Sequence, residues 1–372
     1  MPKYFLLSAL IAASLLAGCA TRHACGPTTL KDAFQKDFLI GVAIKQSQFT
    51  NGDLRGDPII KAQFNAISPE NILKWESVHP EPDHYDFTGP DQYVAFGETN
   101  HMAIIGHTLV WHNQTPRWVF QDDQGNPVTR EVLLQRMHDH ILTVVGRYKG
   151  RIKGWDVVNE AVNEDGSMRK TPWEKIIGDD YIEKAFQYAH EADPAAELHY
   201  NDYSVENEPK RSGVITLIKK LKSEGIPITA VGLQGHDKMD WPTPELEDET
   251  ITAFAQLGVK VMITELDIDV IPATQHNRTA DITANARQIA GANAYTNGLP
   301  DAMQKALAER YAALFKVFVK HHADISRVTF WGVTDGDSWL NTHGRVNYPL
   351  LFDRAGQPKP AFYSVLRTAK DH

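Results

Sequence analysis

Two stretches of this chain carry an apolar run into a glutamate. The first reads Gly154-Trp155-Asp156-Val157-Val158-Asn159-Glu160. The second reads Gly258-Val259-Lys260-Val261-Met262-Ile263-Thr264-Glu265-Leu266-Asp267-Ile268. Side chains alternate faces along a strand, so Asp156, Val158 and Glu160 are expected on one face, and Ile263, Glu265 and Asp267 likewise. In a shared sheet the two runs would turn Glu160 and Glu265 toward each other. A facing pair of acids suits glycoside cleavage: one carboxyl donates a proton to the leaving oxygen, and one carboxylate meets the anomeric carbon. A lone glutamate at a strand end is more often an ion-pair partner or a helix cap. Two of them, preceded by Asn159 and Thr264, form a stronger pattern. Consecutive Asn159 and Glu160 cannot both face inward from a regular strand, so a distortion or strand end is expected there.

Such groups need a scaffold that brings strand ends together. Short apolar runs recur at 38–44, 64–68, 103–110, 152–160, 197–202, 229–236, 260–267 and 327–335. Between them lie helix-like stretches, among them 129–149, 172–191, 209–224, 244–257 and 303–322. In the last of these Leu307, Tyr311, Leu314, Phe315 and Phe318 recur three and four apart, which lays one apolar stripe on a helix. Eight alternating strand–helix units predict an α/β chain folded as a single-domain (β/α)8 TIM barrel over residues 30–370; a doubly wound open sheet is the alternative.

A barrel gathers its chemistry at the C-terminal ends of its strands. Those exits carry Glu70-Asn71, His107 with Trp111 and His112, Asn159-Glu160, Asn201-Asp202-Tyr203, Gln234 with His236, Glu265 with Asp267, and Trp331 with Asp335. Any one of them is accounted for by polarity beginning where a strand stops. The set is not, because ordinary loops favour Gly, Ser and Asp over Glu, His and Trp.

Composition narrows the partners. A formal charge of −9 disfavours nucleic acid, which calls for a basic patch. Two cysteines cannot build a disulfide scaffold or a four-thiolate zinc site. At the N-terminus, Lys3 followed by an apolar core over residues 5–17 reads as an export signal spanning 1–18. It closes in Leu16-Ala17-Gly18-Cys19, which resembles the lipobox of bacterial lipoproteins. Under that reading Cys19 is lipidated, residues 19–29 form a tether, and membrane contact is through this anchor alone. Ala20 in place of Asp favours the outer membrane. A plain secretory signal is the alternative, with Cys19 and Cys25 paired or free.

The two glutamate runs and their neighbours resemble glycoside hydrolase family 10, the endo-β-1,4-xylanases. Residues 258–268 match the family's active-site signature in full, and Trp155-Asp156-Val157-Val158-Asn159-Glu160 matches its acid/base strand. Further agreement lies in Gly106-His107-Thr108-Leu109-Val110-Trp111-His112, Asn201-Asp202-Tyr203, Gly232-Leu233-Gln234-Gly235-His236, and 330–340. The likeness covers about residues 30–370, and no appended carbohydrate-binding module is expected. Val42-Ala43-Ile44-Lys45 departs from it, where many relatives place smaller residues.

The resemblance implies a monomeric, retaining endo-hydrolase of xylan or xylo-oligosaccharides that needs no cofactor and no metal. Glu265 would be the nucleophile and Glu160 the general acid/base. A retaining pair stands ~5–5.5 Å apart, so Glu160 should hold its proton while Glu265 stays ionised. His236 would hydrogen-bond Glu265 with Asp267 behind it; Asn159 would meet the sugar 2-hydroxyl, and Asp156 belongs to the same supporting set. Glu70, Asn71, Lys74 and Trp339 would grip the xylose two places toward the non-reducing end. His107, Trp111, Gln114 and Trp331 would line the cleavage subsite, with Tyr203 and Gln234 reaching toward it and the leaving side. Trp75 and Trp118 are expected to pack or to sit at the rim.

Three rivals stand beside this. A metal-dependent barrel hydrolase could use His107, His112, His236, Glu265 and Asp267, but would call for clustered ligands. A glycosidase of the same architecture could act on cellulose or mannan. A catalytically dead sugar-binding lipoprotein should have lost Glu160 or Glu265, and both are present.

Overall fold

The computed structural model describes residues 28–50, 52–272 and 294–369. The signal at 1–18, Cys19, Cys25 and most of the tether at 19–29 lie outside the described residues. Among the described residues no helix is long and apolar enough to cross a membrane.

Nine parallel strands follow in chain order: β1 (Leu39–Ile44), β2 (Ala66–Pro69), β3 (Ala103–Val110), β4 (Gly154–Asn159), β5 (Glu197–Asp202), β6 (Ala230–Leu233), β7 (His236–Lys238), β8 (Lys260–Asp269) and β9 (Ile325–Phe330). Neighbours run β6-β5-β4-β3-β2-β1-β9-β8, and β6 pairs with β8, so the sheet closes on itself. That closure makes a (β/α)8 barrel and excludes the open doubly wound sheet. β7 is no ninth stave. Like β6 it pairs with β8, and it continues the sixth stave past Gln234-Gly235. The sequence pattern ran unbroken over 229–236; the interruption falls at Gly235, whose φ of 74° suits a residue without Cβ.

The helices between staves form where caps and apolar periodicity coincide. Helix Arg130–Arg147 starts at Thr129, whose hydroxyl accepts from Val132 N, and buries Leu133, Met137, His140, Ile141, Val144 and Val145. The stretch 172–191 is two helices, Pro172–Ile177 and Tyr181–Ala192, divided at Gly178 with φ 103°. Helix Asp301–Lys320 buries Leu307, Tyr311, Leu314, Phe315 and Phe318, the stripe legible in the sequence. Phe315 stacks on Phe330 of β9 at 5.9 Å, which docks this helix on the barrel wall. Each such buried side chain contributes about 1.5–3 kcal/mol.

The apolar core therefore lies between staves and helices, while the barrel's own interior is polar near its mouth. Gly232 makes room for this: a Cβ there would fall 2.3 Å from Asn201 Oδ1. Asn201 and Asp202 are fully buried at the exit of β5.

Candidate active site

The exits of β2, β3, β4, β6, β8 and β9 open into one cavity of about 160 Å³. It is lined by Glu70, Asn71, Lys74, His107, Trp111, Gln114, Asn159, Glu160, Gln234, His236, Glu265, Trp331 and Trp339. Every one of these was expected there from the sequence. Asp156, Asp267 and Tyr203 stand behind the wall.

Glu265 sits in a charged network. Its Oε2 lies 3.2 Å from His236 Nε2, and His236 Nδ1 lies 3.1 Å from Asp267 Oδ1. A ring whose two nitrogens both face carboxylates is satisfied only when both carry hydrogen. Burial works against that charge, but Asp267 and Glu265 outweigh it and push His236 up to about 10. Asn201 Nδ2 donates to Glu265 Oε1 at 2.8 Å. Burial alone would raise the Glu265 pKa; the His236 hydrogen bond, the charges of His107 and His236, and Asn201 reverse this and hold it below the usual value. Trp339 Nε1 donates to Asp267 Oδ2 at 2.7 Å, so the same network fixes an aromatic wall.

Glu160 sits among neutral donors. Trp111 Nε1 donates to Oε2 at 2.9 Å, while Gln234 Nε2 and Asn159 Nδ2 donate to Oε1 at 3.1 and 3.3 Å. Burial, then the Asp202 charge, raise its pKa against those bonds, and Glu265 adds to the rise. The amides also join the two acids: Asn201 Nδ2 reaches both Asn159 Oδ1 (2.9 Å) and Glu265 Oε1. One acid is displaced toward holding its proton and the other toward releasing it, which is the division that acid-assisted displacement requires.

Backbone irregularity delivers these groups. Strict alternation does not carry Glu160 inward from Asp156, because the β4–β5 register slips by one residue between Asp156 and Val158. β4 ends at Asn159, and Glu160 takes a left-handed φ of 58°, so both consecutive side chains reach the cleft. The expected distortion is present. On β8 the β9 pairing shifts between Ile263 and Leu266. Thr264, not only Glu265, then turns to Asn201, its hydroxyl donating to Oδ1 at 2.6 Å.

The sugar-gripping groups are tied together as well. Lys74 Nζ donates to Asn71 Oδ1 (2.9 Å) and Gln114 Oε1 (2.8 Å), and lies 4.9 Å over the Trp111 ring. Burial lowers its pKa against the pull of Glu265, Glu70 and Glu160. Burial raises Glu70, with Lys45 and Lys74 opposing. Trp331 meets the rings of His107 and His236 edge-on, at 5.4 and 6.3 Å. Below, Asp156 lies 3.0 Å from His107 Nδ1 and 3.3 Å from His199 Nδ1. Those bonds hold its carboxyl low against its burial. Tyr203 does not line the cavity: it is 2% exposed, its hydroxyl accepts from Arg169, and Lys210 lies over its ring. Trp75 packs against His140 at 3.6 Å, and Trp118 donates to Pro80 O.

Sequence reasoning placed Asn201 and Asp202 at a strand exit but gave them no role. The signal was their position beside Tyr203; what was missing was the packing of neighbouring staves that sets Asn201 against Asn159 and Glu265 and puts the Asp202 charge near Glu160. Among the described residues, no group of three or more His, Cys, Asp or Glu could hold a metal ion. His236 is occupied on both nitrogens by Glu265 and Asp267.

An eight-stave barrel with two buried glutamates of unlike surroundings in one cleft at its mouth is the arrangement a glycoside hydrolase needs. The model of glycosyl hydrolase family 10 matches residues 29–368, and the chain belongs to that family. It is 46% identical over 342 residues to endo-1,4-beta-xylanase A of Xylanibacter ruminicola, covering 91% of this chain and 93% of that protein. It is 41% identical over 343 residues to an endo-1,4-beta-xylanase of Geobacillus stearothermophilus, covering 91% and 98%. A solved GH10 endoxylanase retrieved from sugarcane soil metagenome superposes with a TM-score of 0.85 at 44% identity, covering 92% of this chain and all of that one.

Proposed function

We propose that the protein degrades xylan as a retaining endo-1,4-β-xylanase. Glu265 attacks the anomeric carbon while Glu160 protonates the leaving oxygen. The glycosyl ester so formed on Glu265 is hydrolysed by a water that Glu160, now a base, deprotonates. The observation that carries this is two buried carboxyls lining one cleft, Glu265 bonded to His236 and Asn201 and Glu160 bonded to the neutral donors Trp111, Gln234 and Asn159. Asn159 offers its amide to the sugar at the point of cleavage. Lys74, Asn71, Gln114 and Glu70 supply hydroxyl partners, while Trp111, Trp331 and Trp339 supply flat apolar faces. Tyr203 acts from behind the cavity wall by holding its neighbours. The test is product analysis on xylan, cellulose and mannan, with the anomer of the first product read by NMR. Xylo-oligosaccharides released as the β-anomer are expected; a first-formed α-anomer, or release from cellulose or mannan only, overturns the reading.

The same proposal extends to the N-terminus, where Leu16-Ala17-Gly18-Cys19 supports a lipoprotein whose Cys19 carries the anchor. The body is then a monomer tethered to the outer membrane by residues 19–29. Cys19→Ala should move the protein from the membrane fraction to the soluble one and abolish incorporation of labelled palmitate. An unchanged distribution means a plain secretory signal.

A further inference from the structure

We propose that Tyr200, Asp202 and Lys210 are positioning residues for the proton donor: together they clamp the backbone beyond Glu160 and fix the charge behind it. This rests on the reading of Glu160 as the general acid/base.

Glu160 is held in the left-handed region at φ 58°, which residues with a Cβ avoid. The β4–β5 ladder cannot continue through such a turn, and its last paired residues are Asn159 and Asn201. Beyond that point β5 holds three successive amides, the first by its backbone and the next two by side chains. Glu160 N donates to Asn201 O at 2.9 Å. Ala161 N donates to the Tyr200 hydroxyl at 3.0 Å, and Val162 N to Asp202 Oδ2 at 3.4 Å. The Tyr200 hydroxyl in turn donates to Asp202 Oδ2. Two side chains thus replace the missing ladder at the one place where the backbone must leave it. The Glu160 carboxyl is aimed by this clamp.

The clamp carries a buried charge. Asp202 is fully buried and also accepts from Tyr203 N at 2.9 Å. Lys210, fully buried at the start of helix Lys210–Ser223, lies 2.9 Å from Asp202 Oδ1. Its Nζ is 3.5 Å from the Tyr203 ring centre and 3.8 Å from Glu164. A buried ion pair seldom adds stability over apolar packing, so its place beside the acid points to use in the reaction.

The groups that act on Glu160 come from six staves and the loops beyond them. Asp202 on β5 and Glu265 on β8 bring negative charge; Lys74 after β2 and Arg169 after β4 bring positive charge; Trp111 and Gln234 bring neutral donors. Asp202 itself faces Lys210, Arg169, Tyr200 and Tyr181. Glu265 loses its charge when it becomes the glycosyl ester, whereas Asp202 keeps its own. Asp202 is therefore the constant part of the field that Glu160 feels as acid and then as base.

The experiment compares Tyr200→Phe, Asp202→Asn and Glu160→Ala in the full chain. Each is assayed by kcat/KM on xylotetraose and on a dinitrophenyl β-xylobioside, whose leaving group needs no proton. Tyr200→Phe should lower kcat/KM on xylotetraose about tenfold, part of what a general acid supplies, and on the aryl glycoside at most about twofold. Asp202→Asn should move the alkaline limb of kcat/KM on xylotetraose about one pH unit lower, the direction expected when a negative charge near an acid is removed. Equal losses on both substrates in Tyr200→Phe overturn the clamp, and an unmoved limb in Asp202→Asn overturns the tuning. Glu160→Ala separates the two levels. If it fails to spare the aryl glycoside, the assignment of the acid itself is wrong. If it spares it while the other two variants behave as merely structural, only the support role is lost. Tyr200→Phe removes a single oxygen and keeps the test available should Asp202→Asn not fold.

Discussion

The surroundings of Glu160 and Glu265 differ in kind, although both side chains are buried in the same cleft. Glu265 faces an imidazolium, itself flanked by Asp267, and one amide from Asn201. Glu160 faces an indole and two amides, all neutral, with the Asp202 anion behind. Desolvation penalises both anions; only Glu265 has formal positive charge within hydrogen-bonding distance to oppose it. One kind of side chain is thereby given two roles by the charge of its neighbours. The backbone differs too. Glu265 lies within a strand, whereas Glu160 lies just past the end of one, at a left-handed turn.

This contrast can be broken from either side. Glu265→Ala should cost the most, on the order of 10⁴-fold or more in kcat on xylan, the scale of losing a covalent nucleophile. Circular dichroism should show the fold unchanged; substantial surviving activity would reassign the nucleophile. Glu160→Ala should cost about 10²–10⁴-fold on xylan, far less on activated aryl glycosides, and should respond to added azide. Equal losses on both substrates would erase the asymmetry between the acids. Lys74→Ala, which removes charge-assisted contacts at the edge of both regions, should lower kcat/KM on xylo-oligosaccharides about tenfold. No change would place Lys74 outside the sugar's reach.

The smallest effect sharpens the comparison through pH. Without His236, Glu265 loses the partner that holds its pKa down, so His236→Asn should move the acid limb of kcat/KM up by about one unit. Stability carries the opposite sign. The folded pKa of His236 is about 10, against about 6.5 in an unfolded chain. Its stabilisation is therefore complete below about pH 6.5 and is lost as pH rises toward the folded value. Melting temperature measured from pH 6 to 10 should fall in the native protein, and less steeply in His236→Asn. Parallel slopes would show that the ring is not held as an imidazolium.

Much of this was legible before any coordinates. Alternating strand and helix runs and the stripe from Leu307 to Phe318 are local patterns, set by the burial of one face of each element. The exits of the staves follow from them, and the thirteen cavity-lining residues lie at those exits or in the loops beyond. What failed was strict alternation. The slip between Asp156 and Val158, the shift between Ile263 and Leu266 and the break at Gly235 depend on how one stave meets the next, and no stave carries that information alone.

The sequence by itself determined most of the residues at the mouth of the barrel, because periodicity and chemistry are properties of short segments; Lys74, Gln114 and Trp339 were implied only by the resemblance to family 10. Only the tertiary structure supplied the physical cause that raises the proton affinity of Glu160 and lowers that of Glu265. Proton affinity is set by charges and burial that converge from staves far apart in the chain: Asp202 and Gln234 around Glu160, His236 and Asn201 around Glu265.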